Sequence, residues 1–507
     1  MYDSNKSTGE FVKVNPHGRL PILRLAALTV AALVLHGYHL GVEDGEIYVP
    51  AAKKLLQPNL YPYAAEFFQS HGRLSVFSPL LAWTSRLTHM PMDWTLLAWY
   101  VVSLFATILS CWLLAAECFS SPRARWSAIL VTTAVLTMPA TNTGLLLVDP
   151  YLTARSFSTP LTIFALAAFL GRRFVLTVAA LLLTAAVHPQ MSVYLLFLIG
   201  VIWLAGRRKT ATAERVPVLA SFAAVLPMGF QLSPSSGAYR EALCSRDYYF
   251  LYNWTWYHWL GMLAPLAILA WLWKGRLRGT LPGLQRISFA LIPFGLVSIA
   301  AAIVLCSSPN FEMFVRLQPL RSFHLITLVF VLLLAGVMGE YLGKNRPWAI
   351  AAVVLLLAGG MFVVSRQTYP NSPQVEFPST TSSNPWVNTL LWVRQNTPTD
   401  AVFAVDSRYF EDPVGDVHGF RAVAQRSALA DYFKDGGVVS LFPALAEEWK
   451  SMSNATYGLN HFSAAQFRGL REEYPEVSWT VVHGPAPASL SCPYQQQGYA
   501  VCRLPSI

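Results

Sequence analysis

The chain has 507 residues, of which 54% are hydrophobic and 13% charged, and its mean hydropathy is +0.41. A soluble domain carries about 25% charged residues. This balance excludes a disordered, fibrous or ordinary water-soluble protein and calls for a polytopic membrane protein with a minority soluble part. The net charge of +10 is uneven, because residues 367–507 hold 13 acidic against 9 basic residues. The basic excess sits in short loops between apolar runs, which is a membrane-edge topology signal rather than the basic face of a nucleic-acid binder.

Eleven apolar runs read as crossing the ~30 Å hydrocarbon layer: 21–41, 94–118, 127–147, 156–171, 174–188, 190–205, 214–232, 258–273, 286–306, 323–342 and 348–366. Three are short and read as tilted or partly re-entrant. One set of alternate loops holds 18 of the 37 Lys and Arg, among them Arg123 and Arg125, Arg172 and Arg173, and Lys344 and Arg346. By the positive-inside rule that set is cytoplasmic, together with the N-terminal residues 1–20. Residues 21–366 then form the transmembrane domain. An odd number of spans sends residues 367–507 outside, and the expected location is a bacterial inner membrane with a periplasmic tail.

The outer loops, 42–93, 148–156, 233–257 and 307–322, are longer, aromatic and rich in functional groups. In the tail, 367–385 reads as a linker. A helix is predicted over 386–396, strands over 401–405 and 477–482, a turn at Gly436-Gly437, and an edge strand over 499–504. A small α/β domain fits. Cys492 and Cys502 are ten residues apart, and an oxidising compartment would allow a disulfide. No cysteine or histidine spacing suits zinc.

The most informative stretch follows the first run: GVEDGEIY over 41–48. It crowds Glu43, Asp44 and Glu46 at the membrane edge. Crowded carboxylates repel and raise some pKa values, which suits a general base or a divalent-cation site; a solvated acidic loop reads the same way. Residues 48–57 and 64–70 read as helices lying in the interface, followed by His71-Gly72-Arg73. Asp149-Pro150-Tyr151 with Arg155 would either complete a site with Asp44 or cap a helix. His188 marks a hairpin between two short runs and suits phosphate binding, proton transfer or a polar turn. Arg316 and Arg321 stand at the head of run 323–342, on the side where the topology rule disfavours them. Arginine grips phosphate bidentately, and a lipid phosphate is the natural ligand; headgroup anchoring is the alternative. The aromatic loop 233–257, with Tyr248 in it, suits sugar stacking or an interface belt.

Taken together, these features resemble the GT-C superfamily of integral-membrane glycosyltransferases. The resemblance rests on the many spans, the first outer loop opening with Glu43-Asp44, and the outer C-terminal domain. The tail segment LWVRQNTP over 391–398 also resembles the start of that domain in oligosaccharyltransferase-like members. Their Trp-Trp-Asp motif is absent, and Ala404-Val405-Asp406 stands nearby.

The resemblance implies an α-helical polytopic fold of about 11 transmembrane helices with a small C-terminal α/β domain. It implies a polyprenyl-phosphate sugar donor and a glycan, lipid or protein acceptor. Asp44 would be the general base, assisted by Glu43 or Glu46. Arg316 and Arg321 would hold the lipid phosphate, with His188, Arg155 and Tyr48 as further binding residues. A divalent cation, Mg or Mn, would take Asp44 and Asp149 as ligands. Three other classes compete, one of them a sensor or scaffold whose outer domain binds a ligand. A lipid-linked glycan polymerase or ligase would rest on outer Arg and His residues instead of Asp44. A lipid or solute transporter would place charges deep in its spans and repeat its halves; here the middles of the runs are nearly free of charge.

Overall fold

The computed structural model describes residues 20–207 and 235–505, apart from 276, 379 and 381. The apolar run 214–232 and the basic residues Lys6, Lys13, Arg19, Arg208, Lys209, Arg215 and Arg276 lie outside the described residues.

Ile22–His36 forms helix α1. The loop after it folds into three helices, α2 (Gly45–Leu56), α3 (Glu66–Gly72) and α4 (Phe77–Thr88). Then come α5 (Met92–Cys118), α6 (Pro122–Ala134), α7 (Ala154–Leu170), α8 (Phe174–Val187) and α9 (Pro189–Arg207). Helices Trp256–Lys274, Pro282–Leu305, Ser322–Tyr341 and Pro347–Thr368 complete the apolar part. Local chemistry sets several starts. Ser121 caps α6 by accepting from the Ala124 N–H, with Pro122 in the first turn. Thr153 and Ser156 cap α7 reciprocally.

This is a helical membrane protein, but the eleven-span reading is corrected. Among the described residues, four stretches are long and apolar enough to cross a membrane: Met92–Cys118, Pro282–Leu305, Pro309–Tyr341 and Pro347–Thr368. Helix α1 has 15 residues and α8 has 14. At a rise of 1.5 Å per residue they reach only about 20 Å, short of the hydrocarbon thickness. Run 127–147 is not one helix either. α6 stops at Ala134, and the chain folds back so that Pro139 bridges Leu146. Apolar composition continues through that fold-back, but the helix does not.

The helices meet closely. A Cβ on Gly339 of Ser322–Tyr341 would lie 2.3 Å from the Ser127 hydroxyl of α6, so glycine is what lets these two backbones approach. Helix Pro347–Thr368 has only 11% of its apolar window buried, leaving most of it facing outward.

The C-terminal domain is a five-stranded sheet of order β2-β1-β3-β5-β4. Strands β1 (Val402–Val405), β2 (Ser427–Ala428) and β3 (Val477–His483) run parallel. Strands β4 (Ser491–Gln496) and β5 (Tyr499–Arg503) are antiparallel additions. The predicted edge strand is β5, and it is not an edge. It lies between β3 and β4, and four of its five residues are buried. Cys492 and Cys502 form a disulfide across β4 and β5. Gly436 and Gly437 lie in helix Lys434–Val439 rather than a turn. A Cβ on Gly437 would come within 2.8 Å of the Arg246 guanidinium, so close packing explains the small residue.

The segment read as a linker is partly docked. Tyr38 bridges Val375. Glu376 accepts from the Leu40 N–H at 3.1 Å and meets the rings of His39 and His418 at 3.0 Å each. The C-terminal domain is therefore fastened to the end of α1 by a strap. It also grips the first loop, where Lys53 donates to the Ala422 carbonyl and the Tyr61 hydroxyl donates to the Arg421 carbonyl.

Candidate active site

The chain turns sharply between α1 and α2. Gly41 has φ +79°, and a Cβ there would sit 3.1 Å from Ala422 and Val423. Both the backbone angle and the close approach require glycine. This turn delivers Asp44 to the N-cap position of α2, yet its side chain makes no cap hydrogen bond. The carboxylate turns instead toward Arg155, 3.3 Å away, and Lys434, 3.6 Å away. Its side chain keeps 35% exposure, so it remains reachable.

Arg155 is buried at the start of α7. It donates to Asp149 at 2.8 Å through one terminal nitrogen and at 3.2 Å through Nε, and the same terminal nitrogen reaches Asp44. Asp149 also accepts from the Thr153 hydroxyl at 3.3 Å. The second-loop acid and base thus do join Asp44. They do so as an ion-pair relay, in which Arg155 fills the space between the two carboxylates. A cation held by Asp44 and Asp149 together would have to displace a buried guanidinium, so this pair does not fit a metal ion.

Arg321 approaches from the head of Ser322–Tyr341. One terminal nitrogen lies 3.4 Å from the Tyr248 hydroxyl, and its Nε has no protein partner. Two histidines add unpaired nitrogens. His71 packs edge-on against Tyr48, with ring centroids 5.1 Å apart, and its Nδ1 is unpartnered. His324 meets the Leu147 carbonyl through Nε2 at 2.9 Å, and its Nδ1 is also unpartnered. Buried polar atoms normally find partners; here several are left for a ligand. His188 stands between α8 and α9, within electrostatic reach of Arg155 and Arg321. A narrow pocket borders Arg321, lined by Leu305, Ala302, Val315 and Leu320 with Tyr248 and Gln318.

The electrostatics differ from the crowding predicted for the acidic triplet. Burial would raise the Asp44 pKa. Lys434, Arg155, Arg321 and His71 outweigh it, and the net shift is down. The Lys434 ammonium is raised: burial opposes its charge, but Glu43 and Asp44 hold it. Burial keeps His71 neutral, with its pKa pushed down to about 4. Three cations, Lys434, Arg155 and Arg321, act on this one carboxylate, so its charged form is stabilised rather than strained.

The three acids of the first loop have separated. Glu43 pairs with Lys434 at the rim. Glu46 points the other way. It is 1% exposed and accepts from Arg421 Nε at 2.7 Å and from the Arg421 and Ala422 N–H groups at 2.9 Å each. Its pKa is raised by burial, with Arg421 opposing. It clamps the C-terminal domain onto the loop, and the bonds that hold it are to Arg421 and Ala422 rather than to the partners of Asp44. Glu43 lies in the turn with a left-handed φ of 52°, Asp44 at the N-cap and Glu46 in the first turn of α2, and these three backbone settings send the side chains apart. Arg316 also lies apart from Arg321; it donates to the Leu441 carbonyl at 3.5 Å.

The cluster therefore holds Asp44, Tyr48, Asp149, Arg155, His188 and Arg321 from the sequence-based candidates. The sequence reading assigned no site role to Lys434, His71 or His324, and offered Tyr248 only as one ring of an aromatic loop suited to sugar stacking or an interface belt. Lys434 carries no local signal, since it reaches Asp44 only through folding of the C-terminal domain. Among the described residues no group of three or more His, Cys, Asp or Glu is placed to hold a metal ion. No protein-family model matches the chain, and no curated protein matches it.

Proposed function

We propose that this chain is a membrane glycosyltransferase that moves a sugar from a polyprenyl-phosphate donor to an acceptor hydroxyl, with Asp44 as general base. The observation that carries the reading is the meeting of one reachable carboxylate with three cations, Arg155, Arg321 and Lys434. That combination suits a phosphate on one side and a hydroxyl nucleophile on the other. The loop charges favour a cytoplasmic N-terminus and a site on the opposite face of a bacterial inner membrane, with the C-terminal domain there too.

The chemistry follows from the charges. The acceptor oxygen forms a bond to the anomeric carbon as the bond from that carbon to the phosphate oxygen breaks. The polyprenyl phosphate leaves with the electron pair, and the acceptor proton passes to Asp44. One displacement inverts the anomeric centre. Arg321 faces the charge that grows on the leaving phosphate, and fixed donors there supply much of the rate. A donor phosphate would also offset Arg321 and Lys434. The Asp44 pKa would then rise toward the range where a carboxylate accepts a proton. The base is thus quiescent until the donor arrives.

A lipid-linked glycan polymerase or ligase is the second reading, favoured by the unpartnered nitrogens of His71 and His324 beside Arg321. The test is sugar transfer from a panel of polyprenyl-phosphate sugars in nanodiscs, comparing wild type with Asp44→Asn and Arg321→Gln. The glycosyltransferase reading expects Asp44→Asn to lose at least about a thousandfold in rate with donor binding kept. It expects Arg321→Gln to lose about a hundred- to a thousandfold in kcat/KM. Transfer that survives in Asp44→Asn would overturn Asp44 as base and leave the histidine-based reading. No transfer by wild type from any donor would overturn both.

A further inference from the structure

The C-terminal domain carries a second cleft that shares no lining residue with the Asp44 cluster. From β1 the chain crosses to β2 on one side and later returns to β3 on the other, so the strand order reverses between β1 and β3. Crevices outside the carboxyl ends of parallel strands at such a reversal are where open α/β sheets bind ligands. Here the crevice opens beside Val405 and Val481, near the carboxyl ends of those two strands, and has a volume of about 500 Å³. That is within the ~300–1,000 Å³ of small-molecule sites.

Its walls identify the chemistry. The charged lining comprises Asp406, Glu411 and Asp412 against the single guanidinium of Arg408. Arg408 is already engaged: it pairs with Glu411 at 3.0 Å and lies over the Tyr432 ring at 4.2 Å. The balance is acidic, which repels phosphate and carboxylate ligands. Asp412 is held rigidly, bonded to the Tyr499 hydroxyl at 3.0 Å and to His483 Nδ1 at 2.6 Å. Asp406 is held as well. It accepts from the Arg408 N–H at 3.0 Å and from the Asn460 side-chain amide at 3.4 Å, and the backbone N–H groups of Gly458 and Asn460 also reach it, so it is fixed on the crevice wall. At the rim the Tyr457 ring is 62% exposed, and Tyr409 forms part of the lining. An aromatic face beside rigid carboxylate acceptors is what a sugar ring needs, with C–H groups on the ring and hydroxyls on the oxygens.

We propose that this crevice is a saccharide-binding site for an uncharged or amine-bearing sugar, distinct from the site at Asp44. It does not rest on the transfer reaction, because binding is measured directly. The experiment is saturation-transfer NMR on the full chain in nanodiscs. The probes are the methyl glycosides of mannose, galactose and N-acetylglucosamine, together with glucosamine, at millimolar concentration. Glucose 6-phosphate and glucuronic acid are the anionic controls. The expected result is transfer to at least one neutral or amine-bearing sugar and none to the anionic pair. The signal should fall at least fivefold in Tyr457→Ala, an exposed position whose loss leaves the fold intact, and in Asp406→Asn. It should persist in Asp44→Asn, which assigns it to the crevice. Absence of transfer to every neutral and amine-bearing probe would overturn the proposal. So would signals unchanged in Tyr457→Ala and Asp406→Asn, or stronger transfer to the anionic sugars.

Discussion

Lys434 of the C-terminal domain stands 3.6 Å from Asp44 of the first loop. A residue almost four hundred positions downstream therefore helps to set the charge state of the acid that opens α2. The C-terminal domain is part of the site's electrostatics as well as a domain fastened to it.

This contact makes a pH prediction. Lys434 is the largest of the charges that lower the Asp44 pKa against burial. If Asp44 must be ionised to act, the acidic limb of the kcat profile, which reports the donor complex, marks its titration. Removing the ammonium raises that pKa, so Lys434→Met is expected to move the limb upward by roughly one unit. A pH–rate series on both proteins reads the shift, and an unmoved limb would detach Lys434 from the mechanism.

Glu43 and Glu46 should separate in a stability measurement. Glu46 is buried among Arg421 and two backbone N–H groups, and Arg421 also meets Asp435 at 2.6 Å. Glu46→Gln removes charge-assisted hydrogen bonds while Arg421 keeps Asp435, at a cost of about 1.5–3 kcal/mol. Glu46→Gln is expected to lower the melting temperature sharply. Glu43 has a side chain 36% exposed, so Glu43→Gln should cost less than about 1 kcal/mol. Thermal melts in one detergent compare the two directly.

The strap has its own pH window. Burial works against ionisation of both Glu376 and His418. Their mutual attraction wins, together with His39 for the acid and Gly415 and Asp416 for the base. Glu376 is thereby drawn down to about 2, and His418 is raised. The depressed acid contributes fully above its unfolded value of about 4.3, and that contribution is lost as pH falls toward its folded value. The raised histidine contributes fully below its unfolded value of about 6.5, and loses that contribution as pH rises through its folded value. The strap is expected to hold best between about pH 4.5 and 6.5. Glu376→Gln should lower stability most in that window, by on the order of 3 kcal/mol, and less on either side. Melting curves across pH for both proteins test it, and a difference independent of pH would exclude the histidine coupling.

Reduction should loosen the end of the sheet. Cys492 and Cys502 are 10 residues apart and join β4 to β5. Closing so short a loop stabilises by roughly 3 kcal/mol. A reductant is expected to lower the melting temperature of the C-terminal domain. The Cys492→Ser/Cys502→Ser variant should melt at that lower temperature with or without it. The measurement is the tryptophan fluorescence melt, and a reductant effect that persists in the variant would place it at another cysteine.

Composition and hydropathy by themselves determined that this is a helical membrane protein with a smaller C-terminal α/β domain, because both depend on residue type summed over long windows. The helix over 386–396 and two parallel strands were legible for the same reason: capping residues, apolar alternation and Pro breaks are local. Asp44, Arg155 and Arg321 stood out because charged groups beside apolar runs are costly and so conspicuous. The number of long apolar helices was not legible, since the fold-back after Ala134 leaves the run 127–147 apolar throughout. Nor was the division of labour among Glu43, Asp44 and Glu46. Those three carboxylates are chemically alike. Only the tertiary structure, by bringing Arg421 to Glu46, Lys434 to Glu43 and Arg155 to Asp44, decided which is a buried clamp, which is a rim contact and which is a part-exposed carboxylate facing a buried guanidinium.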